Sequence, residues 1–94
     1  MNQAVVIHET DNVATSVTAL EKDSLVTLKG DSGINVKVIR DIPFGHKFAL
    51  QNITLGDHII KYGEVIGRAT QDILEGEHVH VHNAESLRGR GDLK

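Results

Sequence analysis

Apolar residues in this chain come in short runs, many with a period of two, separated by clusters rich in Gly, Asp and Asn. That alternation predicts strands rather than helices. Ala4-Val5-Val6-Ile7 reads as a buried strand closed by His8, and Glu9-Thr10-Asp11-Asn12 as a turn. Val13 to Leu20 places Val13, Thr15, Val17 and Ala19 on one parity. Its β-branched content favours a strand over a helix capped by Asp11. Leu25-Val26-Thr27-Leu28 is the next strand, and Lys29 to Gly33 a Gly-rich reversal. Ile34, Val36 and Val38 then share one face of a returning strand, so the pair predicts a hairpin whose tip carries no chemistry. Phe48-Ala49-Leu50-Gln51 is the one place that suggests a helical turn. Ile60 to Thr70 reads as a strand punctuated by Gly63 and Gly67, positions that mark a bulge or a close backbone approach. From Ala84 onward apolar residues thin out, which divides the chain into a domain over 1–83 and an extended arm over 84–94.

An internal repeat runs through the middle. Asp41-Ile42-Pro43-Phe44-Gly45-His46-Lys47-Phe48, Asn52-Ile53-Thr54-Leu55-Gly56-Asp57-His58-Ile59 and Asp72-Ile73-Leu74-Glu75-Gly76-Glu77-His78-Val79 share one form. Each predicts a buried Ile, a tight turn with Gly at positive φ, and re-entry into a strand. The irregular spacing rules out a solenoid and implies a compact fold of short strands with corners built alike.

The third copy leads into the chemistry. In Gly76-Glu77-His78-Val79-His80-Val81-His82-Asn83, His alternates with Val. As a strand this would line up His78, His80 and His82 on one face, roughly 6–7 Å apart, close enough for two imidazoles to reach one metal ion or anion. The alternative is a polar strand face with no ligand.

The chain has 94 residues, one domain's worth, with 3% aromatic residues and no Trp, so its core must be aliphatic. So small a core, with no Cys to staple it, leans on a partner chain or on self-association as a homo-oligomer. The net charge of -3 leaves no footprint for nucleic acid. No apolar run is long enough to span a membrane and Met1-Asn2-Gln3 opens no secretory signal, so a cytoplasmic protein is expected.

Several stretches together resemble the altronate/galactarate dehydratase family: Asp11-Asn12-Val13-Ala14, Ile42 to Leu50, Ile60 to Thr70, and Gly76 to Asn83. The matched part is similar to that family's small N-terminal domain, which implies an all-β fold of the SAF β-clip type. The resemblance further implies a hydro-lyase acting on a sugar acid, a divalent metal such as Fe(II) or Mn(II), and a large catalytic subunit that completes the site. The same domain is similar to the small subunit of sulfolactate sulfo-lyase, in which a C–S bond breaks instead of a C–O bond. A non-catalytic ligand-binding or docking module is the other reading.

Dehydration of a sugar acid removes the proton beside the carboxylate and expels the neighbouring hydroxyl. The developing negative charge needs a metal or cation, and the leaving group a proton. His78, His80 and His82 are the candidate metal ligands, with His80, His82 and His46 the candidate acid/base groups. Lys47, at the Gly45 corner, can pair with a substrate carboxylate, and Gly45 lets the backbone approach it. Arg68 is the third candidate for substrate binding, with a charged strand surface as its alternative. His8 and His58 read as structural, and Glu64 as a surface residue able to orient an imidazole. Arg88 and Arg90 in the tail can reach a carboxylate or dock to the large chain.

Overall fold

The structure, a computed structural model, describes residues 3–5, 10–29 and 35–86. These residues form nine strands and no helix. They are β1 (Gln3–Val5), β2 (Val13–Ser16), β3 (Leu25–Lys29), β4 (Asn35–Lys37), β5 (Lys47–Ala49), β6 (His58–Lys61), β7 (Glu64–Ala69), β8 (His78–Val79) and β9 (Ala84–Ser86). One sheet of six strands runs in the order β4-β3-β1-β2-β5-β8, and a second of three runs β6-β7-β9. Pairing is antiparallel throughout, except for β1 with β3. The all-β expectation therefore holds. So does the hairpin, in which Leu25 faces Lys37 and Val26 faces Val36, with Val36 and Val38 both buried.

The three repeated corners share one geometry. Ile42, Ile53 and Ile73 are buried, and Gly45, Gly56 and Gly76 have φ of 82, 91 and 84°. A fourth corner lacks the Gly: Leu20 is buried and Asp23 takes φ 74°. The corners work in pairs. Leu20 and Ile42 exchange two backbone hydrogen bonds, as do Ile53 and Ile73, all at 2.8 Å. The Asp or Asn that opens a corner caps its mate: Asp41 accepts from the Lys22 amide, Asp72 from Leu55 and Asn52 from Glu75. Turn amides that would otherwise need water are thus satisfied within the fold.

Two aliphatic cores flank β2 and β5. Ala14 and Phe48 face a cluster with Leu20, Val26, Val36, Val38 and Ile42. Their neighbours Val13 and Ala49 face the opposite cluster, with Ile53, Ile59, Ile73 and Val79. Alternation puts successive residues on opposite faces, and here both faces are covered. That overturns the expected helical turn at Phe48–Gln51. Two adjacent fully buried residues, Phe48 and Ala49, need one core on each side of an extended backbone.

The stretch from Ile60 to Thr70 is a hairpin rather than one interrupted strand. Tyr62 and Gly63 form its two-residue turn, with φ of 58° and 74°, the sign that suits a tight hairpin. Positive φ is unusual for Tyr. Asp11 Oδ1 accepts the Gly63 amide at 2.8 Å and holds the turn. Gly67 does mark a close approach: a Cβ there would lie 2.5 Å from the Glu85 carbonyl oxygen. The strand responsible is β9, so the arm expected from Ala84 begins as an edge strand, and residues 84–86 belong to the second sheet. His8, the hairpin tip and the tail arginines Arg88 and Arg90 lie outside the described residues. Among the described residues no helix is long and apolar enough to cross a membrane.

Candidate functional site

Strand β8 sits at the edge of the larger sheet, with Lys47 opposite Val79 and Phe48 opposite His78. One further step of that register sets His46 opposite His80. The cross-strand rings stack at 4.8 Å between centroids, and His46 meets His78 diagonally at 5.1 Å. His78 and His80 lie 5.5 Å apart and nearly parallel. His46 Nδ1 and His78 Nε2 are 2.9 Å apart, so one nitrogen donates the shared proton and the other accepts it. One ring nitrogen from each of His46, His78 and His80 lies within 4.8 Å of the other two.

Backbone clamps hold the three rings in place. β8 ends at Val79, and the chain turns under Asn83, which is fully buried. Asn83 Oδ1 accepts the His80 amide at 3.0 Å, and its Nδ2 donates to the His78 carbonyl at 2.8 Å. One side chain thus fixes the backbone on both sides of Val79. The other wall is held by Ser16: its amide donates to the His46 carbonyl at 2.9 Å, and its hydroxyl donates to the Pro43 carbonyl at 2.8 Å.

Burial lowers the His78 pKa, and His46, His82, His80 and Lys47 add to the effect by repelling a proton. A neutral imidazole keeps a lone pair for a metal, or for a proton in transit. Burial also lowers the Lys47 pKa, with the Lys61 ammonium as the second cause. Both lysines line a cleft of about 360 Å³, with His80 at its rim and Ile59, Ile66 and Val79 among its apolar walls.

The chain matches the altronate/galactarate dehydratase SAF domain over residues 2–87. It belongs to that family. Every residue of the imidazole cluster and of the cleft falls inside the matched range. Over 86 residues the chain is 42% identical to an altronate dehydratase of Bacillus subtilis strain 168, covering 92% of this chain and 17% of that protein. It is 35% identical over 88 residues to the (2R)-sulfolactate sulfo-lyase subunit alpha of Chromohalobacter salexigens, covering 88% of this chain and 94% of that subunit. A galactarate dehydratase (L-threo-forming) of Escherichia coli K12 is 40% identical over 70 residues, covering 74% of this chain and 13% of that protein.

Within this SAF domain the sequence candidates are distributed unevenly. His78 and His80 come together, and His46 joins them from 32 residues away. His82 stands beside His78, at 5.6 Å between rings, outside the set of mutually close nitrogens. The row of three along one strand is not formed, because the strand ends at Val79 and residues 81–83 turn. Lys47 faces the cleft. Gly45 shapes the corner behind His46 and donates its amide to the Ser16 carbonyl at 3.1 Å. Arg68 does not line that cleft; its guanidinium Nε donates to Glu85 at 2.9 Å across β7 and β9. His58 is exposed on β6, away from the cluster. Sequence reading assigned no role to Lys61 or Asn83. The signal for Asn83 was its place at the end of the His-Val alternation.

Proposed function

We propose that this SAF domain is the small component of a lyase that eliminates a group next to the carboxylate of a hydroxy acid, with a separate large chain completing the site. The observation that carries this reading is the convergence of His46, His78 and His80, the last of which lines a cleft together with Lys47. The donor set fits a divalent metal. Metal–imidazole bonds are about 2.1 Å long, which asks for nitrogens about 3–3.5 Å apart. His46 Nδ1 and His78 Nε2 are 2.9 Å apart, where a metal would take the place of the proton they share, and the His80 ring would close in from within 4.8 Å. Fe(II) or Mn(II) suits nitrogen ligands combined with substrate oxygen, and such an ion supplies Lewis-acid stabilisation of developing negative charge. His46, His78 and His80 would hold it.

The remaining groups divide the work by position. Lys47 takes a substrate carboxylate, through a charge-assisted hydrogen bond strengthened by its half-buried setting. His82 is the exposed imidazole left beside the triad and is available for proton transfer. The proton on the carbon beside the carboxylate goes to base, and the neighbouring C–O bond breaks. The leaving hydroxide departs as water after taking a proton. Asn83 fixes the backbone that carries His78 and His80.

A second reading replaces water by sulfite, with a C–S bond breaking in the same geometry. It is supported by the 35% identity over 88 residues to the (2R)-sulfolactate sulfo-lyase subunit alpha. The test is turnover by this chain co-expressed with a large catalytic chain of the same family, on a panel of sugar acids and sulfolactate. His80→Ala should abolish turnover while the two chains still co-purify. Undiminished turnover by that variant would remove His80 from the mechanism.

A further inference from the structure

The cleft beside the imidazoles holds a second cation that the lyase reading does not use. Lys61 ends β6, and Lys47 opens β5. Both residues line the same cleft as Ile59, Ile66 and Val79. The Lys61 ammonium stands 4.8 Å from the centre of the Tyr62 ring, which lines the same cleft. The acidic side chain lining the cleft, Glu85, is engaged by Arg68 from the adjoining strand. Among the described residues no ion pair neutralises Lys47 or Lys61. Two like charges on one half-apolar wall repel each other, and an oxyanion set between them removes that cost.

We propose that Lys47 and Lys61 together form an anchor for one oxyanion group, carboxylate or sulfonate, of a small organic acid whose reacting carbon then lies toward His80. The anchor's assignment to the substrate rests on the lyase reading above; its capacity to bind an anion does not. The apolar side chains beside the pair lower the local dielectric, which strengthens charge-assisted hydrogen bonds. The cleft, about 360 Å³, has room for a short carbon chain between the lysines and His80.

The decisive experiment is an NMR titration of the full chain, held metal-free by chelator at fixed ionic strength, with acetate and with methanesulfonate. The side-chain signals of Lys47 and Lys61 should move together and saturate on one curve, and whichever probe binds tighter identifies the acidic group preferred. Lys61→Met should weaken binding about tenfold, the loss of one charge-assisted hydrogen bond, and Lys61→Arg should recover most of it. Flat titrations with both probes would overturn the anchor, and so would unchanged binding by a folded Lys61→Met chain. In the assembled enzyme, Lys61→Met should raise KM more than it lowers kcat. A saturating titration without turnover by the complex would sink the lyase reading alone. Turnover with flat titrations would sink the anchor alone.

Discussion

Asn83 is the residue on which the imidazole geometry turns. Its amide is fully buried and satisfies one backbone donor and one acceptor on either side of Val79. Removing it leaves the part-buried His80 amide and His78 carbonyl without that partner, a loss of about 1–2 kcal/mol. Asn83→Ala should lower the urea midpoint accordingly and release His80 from His46, with the near-parallel ring arrangement lost from the imidazole spectra. His78 makes a second testable point. Its pKa is depressed by burial and by the neighbouring imidazoles, so on acidification the unfolded chain takes up that proton first. The stabilisation from keeping His78 neutral is therefore complete above its unfolded pKa of about 6.5 and is lost as pH falls below it. Chemical denaturation of the metal-free chain at several pH values between 7 and 5 should show falling stability, and His78→Gln should flatten the slope. An unchanged slope would mean that His78 titrates normally.

The corners are the unit of construction at the next scale, and the sequence displayed three of the four. Gly45, Gly56 and Gly76 were readable because only Gly takes positive φ without strain. The Leu20 corner went unread because Asp23 occupies that position and disguises the repeat. Asp23→Gly should accordingly stabilise the chain by about 0.5–1 kcal/mol, by relieving left-handed strain. The other corners differ in surroundings rather than in backbone. A Cβ at Gly45 meets nothing within 4 Å, whereas at Gly76 it would lie 2.1 Å from the Lys37 carbonyl oxygen. Gly45→Ala should therefore cost about 1 kcal/mol, the strain alone, and Gly76→Ala at least about 3 kcal/mol, because backbone must move. Equal losses in thermal or urea denaturation would contradict the packing described for the Gly76 corner. Strand length was less readable than strand existence. The His-Val alternation continues past Val79, but Asn83 draws the chain into a turn that no periodicity announces.

Across the whole molecule, function depends on register between elements far apart in sequence. His46 was legible as a candidate but not as a member of the cluster, since its pairing with His78 spans 32 residues and follows from how β5 meets β8. Arg68 was singled out by its charge, and only the fold reveals that Glu85 on β9 engages it. Lys61 carried no motif, and the hairpin brings it to the wall that Lys47 occupies. Asn12 ties that hairpin to the larger sheet: its Nδ2 donates to the His58 carbonyl and its Oδ1 accepts the Ile60 amide. Family resemblance was legible from the motifs, and the match over residues 2–87 established it. The proposed metal centre draws His46 from the entry to β5 and His78 and His80 from the end of β8, with His58 outside it. Titrating the full chain with Mn(II) and following paramagnetic broadening of the His ring signals tests this directly. The His46, His78 and His80 signals should broaden first and together, at sub-stoichiometric metal, while His58 stays sharp. Uniform broadening of all imidazoles, or selective broadening that leaves His46 sharp, would contradict it.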